Sequence, residues 1–256
     1  QKSWHEFSAM FLSTNTNKQG LTLNLEDPRG IEVARELLQQ CDVFVENYSP
    51  RVIEKFGLDW PVVHTLNPRC IMVRMPAFGL DGPWKNHVGF AQTMEQISGM
   101  AWLTGHTDDQ PRIQRGPCDP MAGMNAAIAI LVALHERESN GSGCLIECPM
   151  VEGALNAAAE AIVEYSAYGN ILHRTGNRSP EAAPQGLYAC ANHERKNEQW
   201  LALSIATEQQ WQRLKSALGN PAWAEDPALS DLTGRHRDHD QLDKYLQEFL
   251  QDKPLD

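Results

Sequence analysis

Short apolar runs alternate with amphipathic helical segments in the first third of the chain, and this alternation restricts the fold more than any other feature. Residues 42–46 and 70–75 have the length and composition of buried strands. Two helical segments, 50–56 and 61–66, lie between them, and the first of these stops at Gly57. A strand, crossover helices and a second strand form the repeating unit of a parallel sheet. The sequence therefore predicts the α/β class, with a Rossmann-like parallel sheet and crossover helices.

The segment before the first of these strands continues the same alternation. Residues 21–25 alternate as a short strand, and the Asp-Pro pair that follows starts an amphipathic helix over residues 28–40. In open parallel sheets, ligands bind outside the carboxyl ends of the strands. We therefore expect Asn47, Tyr48 and Gly79, which follow two of the predicted strands, to face a ligand.

The remaining two thirds of the chain contain one long predicted helix, and the pattern of predicted elements changes near residue 180. Pro120, directly after Asp119, opens the helix with the strongest pattern, 121–138. Beyond the linker-like stretch around residue 180, strands and helices are shorter. We predict a large Rossmann-like domain over residues 1–179 and a smaller α+β domain over residues 180–256. The other predicted elements are helices at 91–103, 151–168, 208–218 and 242–250, and strands at 144–148, 187–191 and 200–205.

The composition argues against several kinds of partner. A formal net charge of −11 is unfavourable for a nucleic-acid partner, because phosphate binding needs a basic face. The longest uninterrupted apolar run, residues 126–134, is too short to span a bilayer, so we expect no membrane partner. The six cysteines lack metal-ligand spacing. We therefore expect no metal site, and free thiols in a reducing compartment, which means the cytoplasm or, in a eukaryote, the mitochondrial matrix.

Asp119 is the first candidate for a chemical role, although its local sequence also fits a structural one. An aspartate followed by proline before an apolar helix is typical of an N-cap. The position also suits a carboxylate nucleophile, because the positive end of the helix dipole favours the ionised form by roughly 0.3–1 kcal/mol. Gly123 lies inside the same helix, where glycine is about 1 kcal/mol less favourable than alanine. A glycine there suggests the close approach of another backbone or of a ligand.

Motifs rich in glycine, proline and asparagine recur along the chain, and their order carries a family resemblance. They are Asn15-Thr-Asn-Lys18, Leu21-Thr-Leu-Asn-Leu25, Asp42-Val-Phe-Val-Glu-Asn47-Tyr-Ser-Pro50, Phe56-Gly57-Leu58, Leu66-Asn67-Pro68-Arg69, Phe78-Gly-x-x-Gly82-Pro83, Gln96-Ile-Ser98-Gly99, Asp119-x-x-Ala-Gly123, Ala133-Leu134-x-x-Arg137, Gly141-Ser-Gly143, Arg174-x-Gly-Asn177 and Pro184-Gln-Gly-Leu-Tyr188. In this order and spacing the chain resembles class III CoA-transferases of the CaiB/BaiF type. Each motif alone is weak, but the collinear series is specific.

The resemblance implies transfer of coenzyme A between an acyl-CoA and a carboxylic acid, with Asp119 as the catalytic nucleophile. In such enzymes the carboxylate attacks the thioester and forms covalent aspartyl intermediates, which divides one difficult acyl transfer into easier steps. The chemistry needs hydrogen-bond donors for the developing oxyanion. The backbone amides of Gly79, Gly82 and Gly99 are candidates, and the sequence does not choose among them.

The resemblance also implies a set of CoA-binding residues. Carried over position by position, they are Lys18, Asn47, Tyr48 and Lys55. Cations pair with phosphates, and an aromatic face packs on adenine. Taken singly, the two lysines also fit solvated surface charges, and Tyr48 also fits packing at a strand end. The family binds no permanent cofactor, uses the CoA thioester as a substrate, and forms intertwined homodimers.

The chain departs from the family pattern at both ends, and two alternatives to CoA transfer stay open. We expect the chain to be truncated, because the family's first strand-helix unit has no counterpart before Gln1 and its returning C-terminal segment has none after Asp256. A non-catalytic fragment of the scaffold is therefore one alternative. A 2-methylacyl-CoA racemase, which needs an acid and a base on opposite faces of one carbon, is the other. The racemase histidine is replaced by Phe90, and His87 is out of register, which disfavours that alternative.

Overall fold

The computed structural model describes residues 7–191 and 199–254, and these residues form two compact units. The N-terminal unit comprises Gln1–Met94 and Gly116–Ala154, and the C-terminal unit comprises Glu95–Arg115 and Leu155–Asp256. The helices are α1 (Ala9–Thr14), α2 (Pro28–Leu38), α3 (Pro50–Lys55), α4 (Trp60–Leu66), α5 (Ala91–Ile97), α6 (Met100–Leu103), α7 (Cys118–Asn140), α8 (Met150–Ala157), α9 (Ala159–Tyr168), α10 (Glu208–Ala217), α11 (Leu232–Arg237) and α12 (His239–Leu250). The strands are β1 (Val43–Glu46), β2 (Ile71–Arg74), β3 (Leu145–Glu147), β4 (Gln185–Ala189) and β5 (Trp200–Ser204).

The described part of the N-terminal unit is built on a parallel sheet in the order β1-β2-β3. The register pairs Val43 with Ile71 at one end of β1 and β2, and Glu46 with Arg74 at the other. Helices α3 and α4 connect β1 to β2, which is the crossover connection that parallel strands require. The predicted α/β class and parallel sheet are confirmed.

Both faces of the central strand β2 are covered, which explains why its sequence is apolar without alternation. Met72 faces a cluster formed with side chains from α2, α3 and α4. Ile71 and Val73 face the opposite way and pack against small side chains of α7, including Ala122 and Ala126. Strands buried on both faces read as continuous apolar runs, as this one does.

Helix α7 is held against the sheet by its alanine face and by its C-terminal end. Gly141 takes a left-handed conformation (φ 75°) as its C-cap, a role that glycine fills most easily. One turn earlier, Arg137 donates to the carbonyls of Asp42 and Arg69 and pairs with the Asp42 carboxylate at 2.8 Å. Within the described residues, α7 is also the helix long and apolar enough to cross a bilayer by length and composition, a test that core helices pass as well.

Three predicted elements are absent or divided in the structure. Residues 21–25 form no strand, because the backbone and side-chain oxygens of Asn24 accept the N–H groups of Asp27 and Glu26 in the turn that leads into α2. The predicted helix 91–103 is divided by Gly99, whose φ of 87° no helix accommodates. The predicted helix 151–168 is divided at Ala158, which leaves α8 and α9.

The C-terminal unit contains the antiparallel pair β4–β5 with α10, α11 and α12. Strand β4 is joined to α12 by several side-chain hydrogen bonds. The Gln247 amide bonds both backbone groups of Ala189, at 3.0 and 2.9 Å, and the Tyr188 hydroxyl donates to Asp243 at 2.7 Å. The small α+β character predicted for the last part of the chain is confirmed. The predicted domain boundary at residue 180 stays a prediction.

Candidate active site

The carboxyl ends of the parallel strands in the N-terminal unit lead into the segments that the sequence analysis singled out. Strand β1 ends at Glu46 and continues into Asn47 and Tyr48, both exposed. Strand β2 ends at Arg74 and leads to the turn that contains Gly79. Asn47, Tyr48 and Gly79 therefore follow the carboxyl ends of these strands, which is where parallel sheets bind ligands.

The turn that carries Asn47 and Tyr48 is fixed by a buried ion pair. Arg74 Nε donates to Glu46 Oε1 at 2.8 Å, and both side chains are almost completely buried. The Tyr48 ring meets Phe56 edge to face, with centroids 6.4 Å apart, and the residue as a whole is 45% exposed. Tyr48 is therefore accessible to a planar ligand group.

A second turn, at residues 79–82, has a backbone conformation that requires glycine. Gly79 has φ 94° and Gly82 has φ 75°, both in the left-handed region. Glu147, the last residue of β3, accepts the N–H of Leu80 at 2.6 Å and so ties this turn to the sheet. Gly99, the third predicted oxyanion donor, belongs to the C-terminal unit.

Asp119 is exposed and lies in the first turn of α7, where the predicted N-cap role is wrong. The helix starts one residue earlier, at Cys118, with Pro117 as its N-cap. Arg115 and Gly116 have φ values of 66° and 110°, so the chain reverses sharply just before the helix. The first turn still places a carboxylate at the positive end of the helix dipole, which is the electrostatic condition that the nucleophile assignment requires.

The two predicted lysines differ in their surroundings. Lys18 is exposed after α1, and its ammonium donates to the Thr14 carbonyl at 2.5 Å. Lys55 ends α3 and lines a cavity of about 640 Å³ together with Arg35, Ile31 and Phe56. Helix α3 therefore connects Asn47 and Tyr48, at its N-terminal side, with Lys55 at its C-terminal end. Asp119 is positioned in the same unit by a different helix, α7.

Three cysteine thiols are poor competitors for the nucleophile role. Burial raises the pKa of Cys144 and Cys148, and burial together with the neighbouring Cys41 thiol raises the pKa of Cys70 to about 12. Because the thiolate is the reactive form, these groups stay protonated and inert near neutral pH.

Sequence reasoning missed the charged residues that support these turns. The motif series contains Glu46 without a partner, and Arg74 and Glu147 are not among the predicted site residues. The available signal was a single arginine at the end of an apolar strand, since a charge is rarely buried unless it is paired.

Comparison with known proteins identifies the family. Residues 1–256 match the family model described as CoA-transferase family III. The chain belongs to CoA-transferase family III. Its resemblance to class III CoA-transferases, inferred from the motif series, is thereby confirmed.

Two curated relatives and one solved structure illustrate the match to family III. Succinyl-CoA–D-citramalate CoA-transferase of Chloroflexus aurantiacus is 34% identical over 231 residues, which cover 90% of this chain and 56% of the relative. Formyl-CoA:oxalate CoA-transferase of Bradyrhizobium diazoefficiens is 29% identical over 246 residues, covering 89% and 57%. A CaiB/BaiF family protein from Brucella suis superposes with a TM-score of 0.82 at 25% identity, covering 93% of this chain and 61% of that one. The chain thus spans a little over half the length of these proteins.

Proposed function

We propose that this protein transfers coenzyme A between an acyl-CoA and a small carboxylic acid through a covalent intermediate on Asp119. The observation that carries the proposal is the family III match over residues 1–256, which includes an exposed aspartate in the first turn of α7. The relatives named above are CoA-transferases that act on succinyl-CoA with D-citramalate and on formyl-CoA with oxalate. Their acceptors are small carboxylic acids, so we extend this acceptor class to the protein.

The proposed reaction proceeds by successive acyl transfers. An Asp119 carboxylate oxygen attacks the thioester carbonyl, the carbon–sulfur bond breaks, and a mixed anhydride and a CoA thiolate form. The thiolate then attacks the aspartyl carbonyl, which gives an aspartyl-CoA thioester and releases the donor acid as its carboxylate. The acceptor carboxylate attacks that thioester, which releases the CoA thiolate and forms a second mixed anhydride. The thiolate then attacks the acceptor's carbonyl in this anhydride, which forms the new acyl-CoA and releases Asp119 as its carboxylate.

Each tetrahedral step develops negative charge on a carbonyl oxygen, which backbone N–H groups stabilise best when they are fixed in advance. The turn at residues 79–82 supports this role because the Glu147 carboxylate and the left-handed glycines hold it. Gly123 supports ligand access to Asp119. It lies one turn further along the exposed side of α7, and no described atom lies within 4 Å of a Cβ added there, apart from its own helix backbone and chain neighbours.

CoA itself is proposed to bind along β1 and α3. The Tyr48 ring offers a face to adenine, Asn47 offers amide hydrogen bonds, and Lys55 and Lys18 offer cations to the phosphates. The exposure of these four residues and the cavity beside Lys55 support the assignment.

Trapping of the intermediate tests the proposal. Incubation with succinyl-CoA and hydroxylamine is expected to convert Asp119 into its hydroxamate, which mass spectrometry of the α7 peptide detects. Asp119→Ala is expected to abolish both the adduct and CoA exchange. Glu138→Ala removes a carboxylate that is 80% exposed at the other end of the same helix, and it is expected to leave both unchanged. Full exchange activity in Asp119→Ala would refute the mechanism.

Solvent exchange separates transfer from racemisation. A racemase working on a 2-methylacyl-CoA incorporates deuterium from heavy water at carbon 2, because it removes and returns the proton there. A CoA-transferase leaves that carbon unlabelled while the acyl group moves to a new acid. Deuterium uptake without transfer would replace the proposed function by the alternative.

A homodimer forms part of the proposal. The family resemblance implies it, and α7 supports it with an exposed apolar stripe, Met124, Ile128 and Leu131, at helical spacing. Ile128→Glu places a charge in the middle of the stripe and is expected to shift the protein from dimer to monomer in sedimentation velocity. A monomeric unsubstituted protein would refute this part alone.

A further inference from the structure

The turn between β1 and α3 is hydrogen-bonded by two buried charged side chains, those of Glu46 and Arg74. Glu46 and Arg74 are register partners on β1 and β2, and each residue is 5% exposed. Burying an ion pair usually gives little net stability, because desolvation offsets the attraction. A contribution to stability therefore does not explain this buried pair well. The other hydrogen bonds of Glu46 and Arg74 indicate what the pair does.

Each member of the pair holds one side of the turn. Glu46 Oε1 accepts Arg74 Nε at 2.8 Å, while its Oε2 accepts the backbone N–H of Tyr48 at 2.9 Å. Arg74 Nη2 donates to the carbonyl of Pro50 at 3.0 Å. The turn is thus bonded in its middle and at the start of α3, and Asn47 lies between Glu46 and Tyr48.

We propose that Glu46 and Arg74 are positioning residues for CoA, acting through the backbone of the turn that presents Asn47 and Tyr48. This inference rests on the proposed function, because it assumes that this turn binds CoA. Neither side chain reaches the ligand, since both are buried beneath the turn. By bonding the turn to the sheet, the pair reduces the conformational cost of ordering it when CoA binds.

Glu46→Gln is the sharpest single substitution because it preserves shape. A glutamine keeps an acceptor at only one of the two oxygen positions that bond Arg74 Nε and the Tyr48 N–H. The charged guanidinium retains that oxygen because charge-assisted bonds are stronger, so the bond to Tyr48 is lost. We expect the amide of Tyr48 to exchange faster with deuterated solvent, while the amide of Met75, which donates to the Glu46 carbonyl, keeps its protection. We expect the dissociation constant for CoA, measured by isothermal titration calorimetry, to rise about tenfold.

Glu54→Gln is the matched control. Glu54 also faces Arg74, at 3.7 Å, but its side chain is 53% exposed and belongs to α3 rather than to the turn. We expect neither the exchange of the Tyr48 amide nor the affinity for CoA to change. An equal loss of affinity in this variant would show that charge near Arg74, rather than the held turn, controls binding, and would overturn the inference.

A double variant separates positioning from stability. Glu46→Leu combined with Arg74→Met replaces the pair by apolar side chains, which often restores or improves stability. We expect its midpoint in urea to lie near or above that of Glu46→Gln, whereas its affinity for CoA stays at least tenfold below that of the unsubstituted chain. Recovery of CoA affinity together with stability would show that the pair is only structural.

The measurements distinguish this inference from the function on which it rests. Absence of CoA binding by the unsubstituted protein refutes the proposed function. Normal CoA binding in that protein together with unchanged affinity in Glu46→Gln refutes only the positioning role.

Discussion

Replacing Gly79 by alanine is expected to strain the turn at the carboxyl end of β2 in two separable ways. Gly79 has φ 94°, a conformation that L side chains rarely adopt, and a Cβ at this position would lie 3.0 Å from Glu147 Oε1. The same carboxylate oxygen accepts the Leu80 N–H at 2.6 Å. The added methyl group therefore forces either the turn or the carboxylate to move. Gly82, in the same turn, has φ 75°, and apart from its chain neighbours no atom of the described residues lies within 4 Å of an added Cβ, so alanine there meets only the backbone strain.

The expected magnitudes follow from these two contributions. A left-handed conformation costs an L-residue roughly 1–2 kcal/mol, and this applies to both positions. Displacing Glu147 from the Leu80 N–H removes a hydrogen bond whose net contribution is about 0.5–1.5 kcal/mol. Gly79→Ala is therefore expected to lower the free energy of unfolding by about 1.5–3.5 kcal/mol, and Gly82→Ala by about 1–2 kcal/mol.

A double-mutant cycle in urea tests the reasoning. In the Glu147→Ala background the carboxylate is absent, so Gly79→Ala is expected to cost no more than Gly82→Ala. CoA exchange is expected to fall further in Gly79→Ala than in Gly82→Ala, because only the former displaces the anchor of the turn. If Gly79→Ala costs as much in the Glu147→Ala background as in the unsubstituted chain, the Glu147 carboxylate does not anchor the turn.

Two further predictions concern the C-terminal unit. Arg235 is fully buried, donates to two buried carbonyls and pairs with Glu208, which is 54% exposed. Arg235→Met is therefore expected to cost about 2–5 kcal/mol in urea denaturation, whereas Glu208→Gln, which keeps one acceptor oxygen beside the guanidinium, is expected to cost less, and equal losses would contradict this. Burial lowers the pKa of His239, and the negative charge of Asp243 offsets only part of this lowering. The His239 Nε2 accepts the N–H of Gln185 at 2.9 Å. Because the unfolded chain takes up the proton first, stability should fall as the pH drops below about 6.5, and His239→Gln should remove this step from urea midpoints measured between pH 5 and 8.

The elements with strong local signals could be predicted from the sequence. Helix α2 follows the Asp-Pro pair, and the Asp27 side chain accepts the N–H of Arg29 as an N-cap should. Strand β2 was predicted from its apolar run, and it is apolar because α2, α3 and α4 cover one face and α7 the other. Local propensity and tertiary burial agree in these segments, which is why pattern reasoning succeeds there.

The wrong predictions concern segments whose local sequence pattern is compatible with more than one conformation in the folded chain. Residues 21–25 alternate like a strand, yet Asn24 uses its oxygens to build a turn, and only the structure reveals that choice. Asp119 looked like an N-cap, but the helix begins one residue earlier because the chain reverses at Arg115 and Gly116. A positive φ at an arginine has no sequence signal, so the start of α7 could not be predicted within one residue.

The support of the candidate site was hidden for a related reason, since it depends on register rather than on any motif. Arg74 is the register partner of Glu46 on one side and of Glu147 on the other, so one row of alternating charge crosses the carboxyl edge of the sheet. Each glutamate in this row accepts a backbone N–H from the loop near it, that of Tyr48 or of Leu80. The same device therefore holds both loops proposed to contact the substrate, one for CoA and one for the oxyanion. Loops fixed by the sheet need not be ordered by the ligand, and preorganisation of this kind is what gives backbone donors their catalytic value.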